Sequence, residues 1–174
     1  MLKNVIDEYK SWETIKIKED LDRKAFNYSV LMQHISGDFN ISTFVRNANA
    51  FGVKNLFYFG KRKWDRRGAV GTHNYKQLVH IENFEDLKNL KNSHRFIAIE
   101  NSVENPVELS NFIPQENDLY IFGEEMLGIK EEILELCEEF VYIKQFGSVR
   151  SLNVGTASGI IMNHVSSFLS NKVS

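Results

Sequence analysis

This chain of 174 residues predicts an α/β fold, a mainly parallel sheet with helices on both faces. Two observations carry that expectation. From Tyr28 onward, short apolar runs of strand length recur, each followed by a polar loop and in most cases by a helical pattern. The runs are apolar on both faces, and a strand that must be covered on both sides belongs to a parallel sheet between helical layers.

The elements follow in order. Val5, Ile6, Tyr9 and Trp12 stand at helical spacing, and residues 13–20 then alternate acid, base and apolar residues around Ile15 and Ile17. A short amphipathic helix followed by a connector is expected there, so 1–25 reads as a helical extension and 26–174 as one domain. Strands are expected at 28–33, 55–59, 96–100, 119–122 and 140–143, with a weaker run at 78–81. Helices are expected at 42–51, 84–90, 130–137 and 153–169, and Gly52 is placed as the left-handed glycine just past the first. In such a sheet ligands bind beyond the carboxyl ends of the strands, which directs attention to loops 34–41, 99–105, 123–129 and 144–152.

Composition narrows the function classes. With 43% hydrophobic and 25% charged residues the chain can bury one sizeable core. Its 21 Lys and Arg against 23 Asp and Glu leave a net charge of −2, so a polyanionic partner has to be met by a local basic patch. Cys137 is the single cysteine, which excludes an internal disulfide and a cysteine zinc cage and fits a reducing compartment. No run approaches the roughly 18 apolar residues of a membrane span, so a soluble, cytoplasmic protein is expected. Two prolines and ten glycines make no linker, and there is no internal repeat. His34, His73, His80 and His94 lack ligand spacing, so no metal site is expected.

Four stretches concentrate the unusual polar residues. In the first, Asn40 or Ser42 caps a helix and Arg46 projects near its N-terminus, where a guanidinium and free backbone N–H groups suit a phosphate; a capped surface helix with a solvated Arg is the alternative. In the second, the strand at 119–122 runs into Gly123, Glu124, Glu125 and Gly128, glycines that permit a tight turn and a close backbone approach. No Walker loop and no GxGxxG motif occurs, which disfavours a dinucleotide site. In the third, Ser151 and Asn153 stand at the mouth of the last helix, where Ser151 can serve simply as N-cap. Gly155, Ala157 and Gly159 in that helix are small enough for a ligand or another backbone to come near. The fourth is the basic loop holding Lys61, Arg62, Lys63, Trp64, Arg66 and Arg67, which either grips phosphates or forms a solvated face.

The first three stretches, in this order, resemble the SpoU/TrmH family of SPOUT methyltransferases, which methylate ribose 2′-hydroxyls in tRNA or rRNA. The matching residues are Asn40 with Arg46 and Ala50-Phe51-Gly52, then Phe122-Gly123 with Glu125 and Gly128, then the run from Phe146 to Val154. The resemblance covers about 28–169. It implies a deep trefoil knot in the C-terminal part, a feature that periodicity alone excludes by default. It further implies a closed two-fold homodimer, S-adenosylmethionine held in the knot, and structured RNA as substrate, tRNA ahead of rRNA, with no DNA or membrane partner.

By the same resemblance, Ile99, Gly123, Gly128, Ile143, Ser151 and Leu152 hold the cofactor. Asn40, Arg46, Glu125, Ser151 and Asn153 line the reaction site. RNA recognition is expected to rest on the knotted dimer, on the first 25 residues and, from the charge run itself, on Lys61, Arg62, Lys63, Arg66 and Arg67. The family often makes the Arg46 equivalent a proton acceptor, but a guanidinium stays protonated in proteins. Clamping a phosphate and stabilising developing alkoxide character is the role its chemistry allows. The chain departs from the family at Gly37-Asp38-Phe39, where a Pro is usual before the Asn, at Ser42 in place of Gly, and at Lys144 in place of Pro. Neither a separate RNA-binding domain nor a long C-terminal tail is expected. A catalytically weak knotted RNA-binding dimer is the alternative, and a flavodoxin-like nucleotide binder would explain none of the three motifs.

Overall fold

The computed structural model describes residues 5–33, 38–60, 69, 71–124 and 127–173. Helix α1 (Thr14–Lys24) leads into strand β1 (Phe26–Gln33), followed by α2 (Asp38–Ala50), β2 (Val53–Phe59), β3 (Leu78–Ile81), α3 (Phe84–Asn89) and β4 (Arg95–Ile99). The chain continues through β5 (Val107–Glu108), β6 (Asp118–Phe122), α4 (Glu131–Leu134), β7 (Glu139–Tyr142) and α5 (Val154–Val173). The strands form one sheet in the order β3-β2-β1-β6-β4-β7-β5, and each pairing is parallel. This is the expected α/β class. Every expected strand is present, and β5 is an addition: at two residues it is too short to show as an apolar run.

Alternation along the strands builds two cores. Val30 and Met32 of β1, Tyr120 and Phe122 of β6 and Ile97 of β4 face the layer made by α2 and α5, with Phe44, Val45, Ile161 and Val165 buried against them. Phe44 and Phe122 meet edge to face at 5.6 Å, an arrangement worth about 0.5–1.5 kcal/mol beyond its buried area. Leu31, Leu119, Ile121, Phe96 and Ala98 point to the opposite face, where Leu87 and Ile133 cover them.

Four local expectations are corrected. The N-terminal helix lies at Thr14–Lys24, where a connector was expected, whereas the segment before it holds a 3-10 turn at Asp7–Tyr9. Ile15 and Ile17 look like a period-two pattern, but Ile15 is exposed and the buried pair is Ile17 and Asp20, one helical turn apart. Asp20 is a core residue because Tyr9 donates its hydroxyl to it at 2.6 Å, and Lys24 and Arg23 pair with it. Helix α2 begins at Asp38, so Asn40 and Ser42 lie inside its first turns and neither is the residue before it. Helix α4 is shorter than the expected 130–137. Finally, α5 is capped by Asn153, not by Ser151. The Asn153 side chain accepts from the backbone N–H of Thr156 at 3.2 Å, two residues beyond the reach of Ser151.

Gly52 has φ 63° and closes α2 as expected, with its carbonyl receiving the N–H of Phe26 at 2.9 Å. Helix α5 is locked to β1 and α2 by polar contacts through the core. Tyr28 and Ser166 share a hydrogen bond of 2.9 Å, and Ser166 donates to the Phe51 carbonyl at 2.6 Å. Among the described residues, no helix is long and apolar enough to cross a membrane.

Candidate active site

Beyond the carboxyl ends of β4, β6 and β7 lies a cavity of about 640 Å³. These strands are neighbours in the sheet, so the loops that follow them converge. The cavity is bounded by 99–102 after β4, by 122–124 and 127–128 after β6, and by 142–143, 145 and 150–152 after β7. Three of the four loops expected at this end therefore meet. Asn101 ties two of them together, donating its side-chain amide to the Arg150 carbonyl at 2.9 Å. Glu100 turns its carboxylate back onto the N–H groups of Asn101 at 2.9 Å and Ser102 at 3.1 Å, which shapes the β4 loop.

The β6 loop is a closed hairpin. Glu124 and Gly128 exchange backbone hydrogen bonds of 3.0 and 2.8 Å, forming an isolated antiparallel bridge. Its two glycines have separate steric reasons. A Cβ on Gly123 would sit 2.3 Å from the Gly128 carbonyl carbon, inside the return strand of the hairpin, whereas Gly128 adopts φ 67° with Glu100 2.7 Å from where its Cβ would be. Both glycines are thus required by the path of the chain along the cavity wall.

Helices α2 and α5 meet beside the cavity through one face of each. Asn40, Thr43 and Asn47 share that face of α2. Asn153 donates to the Asn40 side-chain oxygen at 2.9 Å, and Asn47 donates to the Gly155 carbonyl at 2.9 Å and to the Ser158 hydroxyl at 3.1 Å. Gly155 and Gly159 serve this contact, since a Cβ on either would stand 3.1 Å from Thr43 or Asn47. Ala157, one face round, lines the cavity. The three small residues noted in the sequence therefore divide between packing and the cavity.

The expected cofactor residues Ile99, Gly123, Gly128, Ile143, Ser151 and Leu152 all border the cavity. Ser151 is exposed there and takes no part in capping α5. Asn40 and Asn153 are joined beside it, while Arg46 is exposed on α2 and is not part of the lining. Glu125 and the basic residues Lys61, Arg62, Lys63, Arg66 and Arg67 lie outside the described residues. Sequence reasoning missed Glu100, Asn101, Asn47 and Gln33, whose roles are backbone-directed hydrogen bonds with no motif to announce them. Lys144, the departure after the last strand, pairs with Glu108 of β5 at 3.1 Å. The Ser110 hydroxyl and then Lys144 hold the Glu108 carboxyl below its ordinary pKa.

The lining suits an occupant with an aromatic or apolar body and polar ends. Phe122, Tyr142, Ile143 and Leu152 supply the apolar wall, and Glu100, Glu124 and Ser151 the polar rim. No cluster of metal-ligating side chains occurs among the described residues.

Known proteins are similar to this chain in sequence and in fold. The tRNA (guanosine(18)-2′-O)-methyltransferase of Aquifex aeolicus is 26% identical over 152 residues, covering 84% of this chain and 72% of that protein. The enzyme of the same description from Escherichia coli is 27% identical over 151 residues, covering 84% of this chain and 66% of its own length. Among solved structures, the fold is similar to the Aquifex aeolicus TrmH/SpoU tRNA modifying enzyme, with a TM-score of 0.80, 23% identity and coverage of 92% of this chain and 84% of that one. It is also similar to the SpoU methyltransferase AviRb of Streptomyces viridochromogenes in complex with AdoMet, with a TM-score of 0.75, 18% identity and coverage of 88% and 64%. The SpoU rRNA Methylase family matches residues 27–163, a span that contains the sheet, the glycine hairpin and the start of α5, and the chain belongs to that family.

Proposed function

We propose that this protein transfers the methyl group of S-adenosylmethionine to a ribose 2′-hydroxyl of structured RNA, with tRNA as the substrate. The observation that carries the reading is the cavity itself, whose walls include the two carboxyl-end loops, after β6 and β7, that bear the second and third family motifs. The tRNA assignment is supported by the names of the Aquifex aeolicus and Escherichia coli relatives. The cavity is large enough for an adenosine with an amino-acid tail, and its apolar wall and polar rim suit the two parts of such a molecule.

The bound cofactor supplies an electrophilic sulfonium methyl, and no metal is needed. The protein's task is alignment and proton management. Gly123 and Gly128 let the backbone pass close to the cofactor, and Ile99, Ile143, Ser151 and Leu152 bound the adenosine. Arg46 binds the RNA phosphate next to the target ribose and stabilises negative charge developing on the 2′-oxygen. The proton leaves to that phosphate or to a water. Asn153 fixes the Asn40 amide while it caps α5, so Asn40 is held ready to orient Arg46 or the ribose, and Glu125 helps to hold the substrate by hydrogen bonds.

The reading includes a trefoil-knotted chain, supported by the convergence of the loops after β4, β6 and β7, and a two-fold homodimer. Leu127, Phe146 and Val149 on those loops are 80%, 90% and 62% exposed, apolar surface that a second copy would cover. The basic residues of 61–67 add phosphate contacts, and the protein acts in the cytoplasm.

The test is transfer of label from methyl-labelled S-adenosylmethionine into separated tRNA and rRNA that lack native modification, followed by nucleoside mass spectrometry. A labelled 2′-O-methylnucleoside from tRNA is expected. Arg46→Ala should reduce incorporation on the order of 10³-fold with cofactor affinity unchanged. A base-methylated product, or no product despite cofactor binding, would overturn the proposed reaction.

A further inference from the structure

Gln33 is the last residue of β1, and with 1% of its surface exposed it is a buried amide at the carboxyl end of a central strand. A buried amide without partners is costly, so where its hydrogen bonds go is informative. Its oxygen accepts the backbone N–H of Lys130 at 2.9 Å, and its nitrogen donates to the Gly128 carbonyl at 3.3 Å. Both partners are backbone groups at the returning end of the Gly123–Gly128 hairpin. One side chain therefore holds the point where the hairpin leaves the cavity wall and turns towards α4.

We infer that Gln33 is the positioning residue for the cofactor loop: its amide sets the height of the Gly128 peptide and hence the shape of the cavity wall. The inference rests on the proposed cofactor site. Gly128 is a point where position matters. Its peptide closes the bridge to Glu124, its left-handed backbone excludes side chains, and Glu100 stands against it from the β4 loop. From the sheet below, the Gln33 amide reaches this turn with a hydrogen bond to the peptide groups of both Gly128 and Lys130. The oxygen and nitrogen of the amide are told apart by these partners, since reversing them would set two donors and two acceptors face to face.

Replacing the amide with an apolar chain of the same length removes both bonds and keeps the volume. Gln33→Met should therefore fold, weaken binding of S-adenosylhomocysteine in calorimetric titration about tenfold, and leave the KM for RNA unchanged. Gln33→Glu keeps an acceptor for the Lys130 N–H but sets its second oxygen against the Gly128 carbonyl, so it should recover binding only at a pH low enough for the carboxyl to be protonated and to donate there. Hydrogen exchange without any ligand provides the independent readout. In Gln33→Met, amide exchange of the 123–130 peptide should accelerate while peptides from β1, β4 and β6 keep their protection.

If the wild-type protein fails to bind S-adenosylhomocysteine, the proposed function is wrong, and the exchange experiment still tests the clamp. If wild type binds and Gln33→Met binds equally well, the inference is overturned. Faster exchange throughout the sheet would also overturn it, by showing a general packing role.

Discussion

At the amino end of the sheet, Asp118 has no exposed surface and accepts four hydrogen bonds: two from Arg95 at 2.8 and 2.9 Å, one from the Gln115 N–H at 2.9 Å and one from the Tyr120 hydroxyl at 2.8 Å. At the carboxyl end, Glu124, Arg150 and Ser151 border an open cavity with an apolar wall of Phe122, Tyr142, Ile143 and Leu152 and one side set by Gly123 and Gly128. The two ends use the same residue types to opposite purposes. One neutralises its charge internally and holds strands β4 and β6 in register. The other leaves polar groups at the surface, where a ligand can complete them. Stability and ligand affinity should therefore be separable by mutation, even though both depend on β4 and β6.

The strongest challenge to this separation is Asp118→Ala. It removes the acceptor of four donors and strands a partly buried guanidinium, and loss of about 3 kcal/mol or more of stability is expected from urea unfolding. In the fraction that stays folded, cofactor affinity should be unchanged. A parallel loss of affinity would mean that the two ends are coupled through the strands.

Gly123→Ala makes the opposite test. The added methyl group collides with the Gly128 peptide, so the hairpin has to open, and cofactor affinity should fall on the order of 100-fold in an equilibrium titration. The stability change should be smaller than for Asp118→Ala, because the two core layers are untouched.

The smallest effect sharpens the picture at the amino-terminal extension. Hydrogen bonds from Lys24, then Tyr9, then Arg23 hold the Asp20 carboxyl well below the usual carboxylate range. A carboxyl depressed in the fold contributes stability that is complete above its unfolded value, about 3.9, and is lost as pH falls towards the folded value. Asp20→Asn should flatten the acid limb of the stability curve below about pH 4 and leave methyl transfer at neutral pH intact. An unchanged acid limb would show that Asp20 is not what anchors α1 against Tyr9.

Particular residues show why some features could be read directly and others could not. Apolar residues in consecutive strand positions, such as Val30, Leu31 and Met32, reveal burial on both faces, because the hydrophobic effect depends on residue type and spacing alone. Gly52 could be placed for a similar reason: a left-handed residue after a helix is a local backbone requirement. Asp20 defeats such reading. A carboxylate becomes a core residue only when Tyr9, Arg23 and Lys24 surround it, and no local rule indicates that they will. Asn153 and Ser151 are equally plausible caps until the first turn of α5 shows whose oxygen reaches the Thr156 N–H.

The site divides along the same line. Gly123, Gly128 and Leu152 stand in motifs, Ile99 is named through the family resemblance, and the rule that parallel sheets bind ligands at their carboxyl ends points to the loops that hold all four. Gln33 and Asn101 could not be named in these ways, since each acts on a backbone group far away in the chain: Lys130 and Gly128 for one, Arg150 for the other. Spacing and side-chain chemistry thus prescribe the α/β class, the strands and the family motifs, because those are local properties that any copy of the segment carries. The strand order, the meeting of three loops in one cavity and the amides that pin them arise from long-range pairing, where partners are chosen by position in space and leave no periodic trace in the chain.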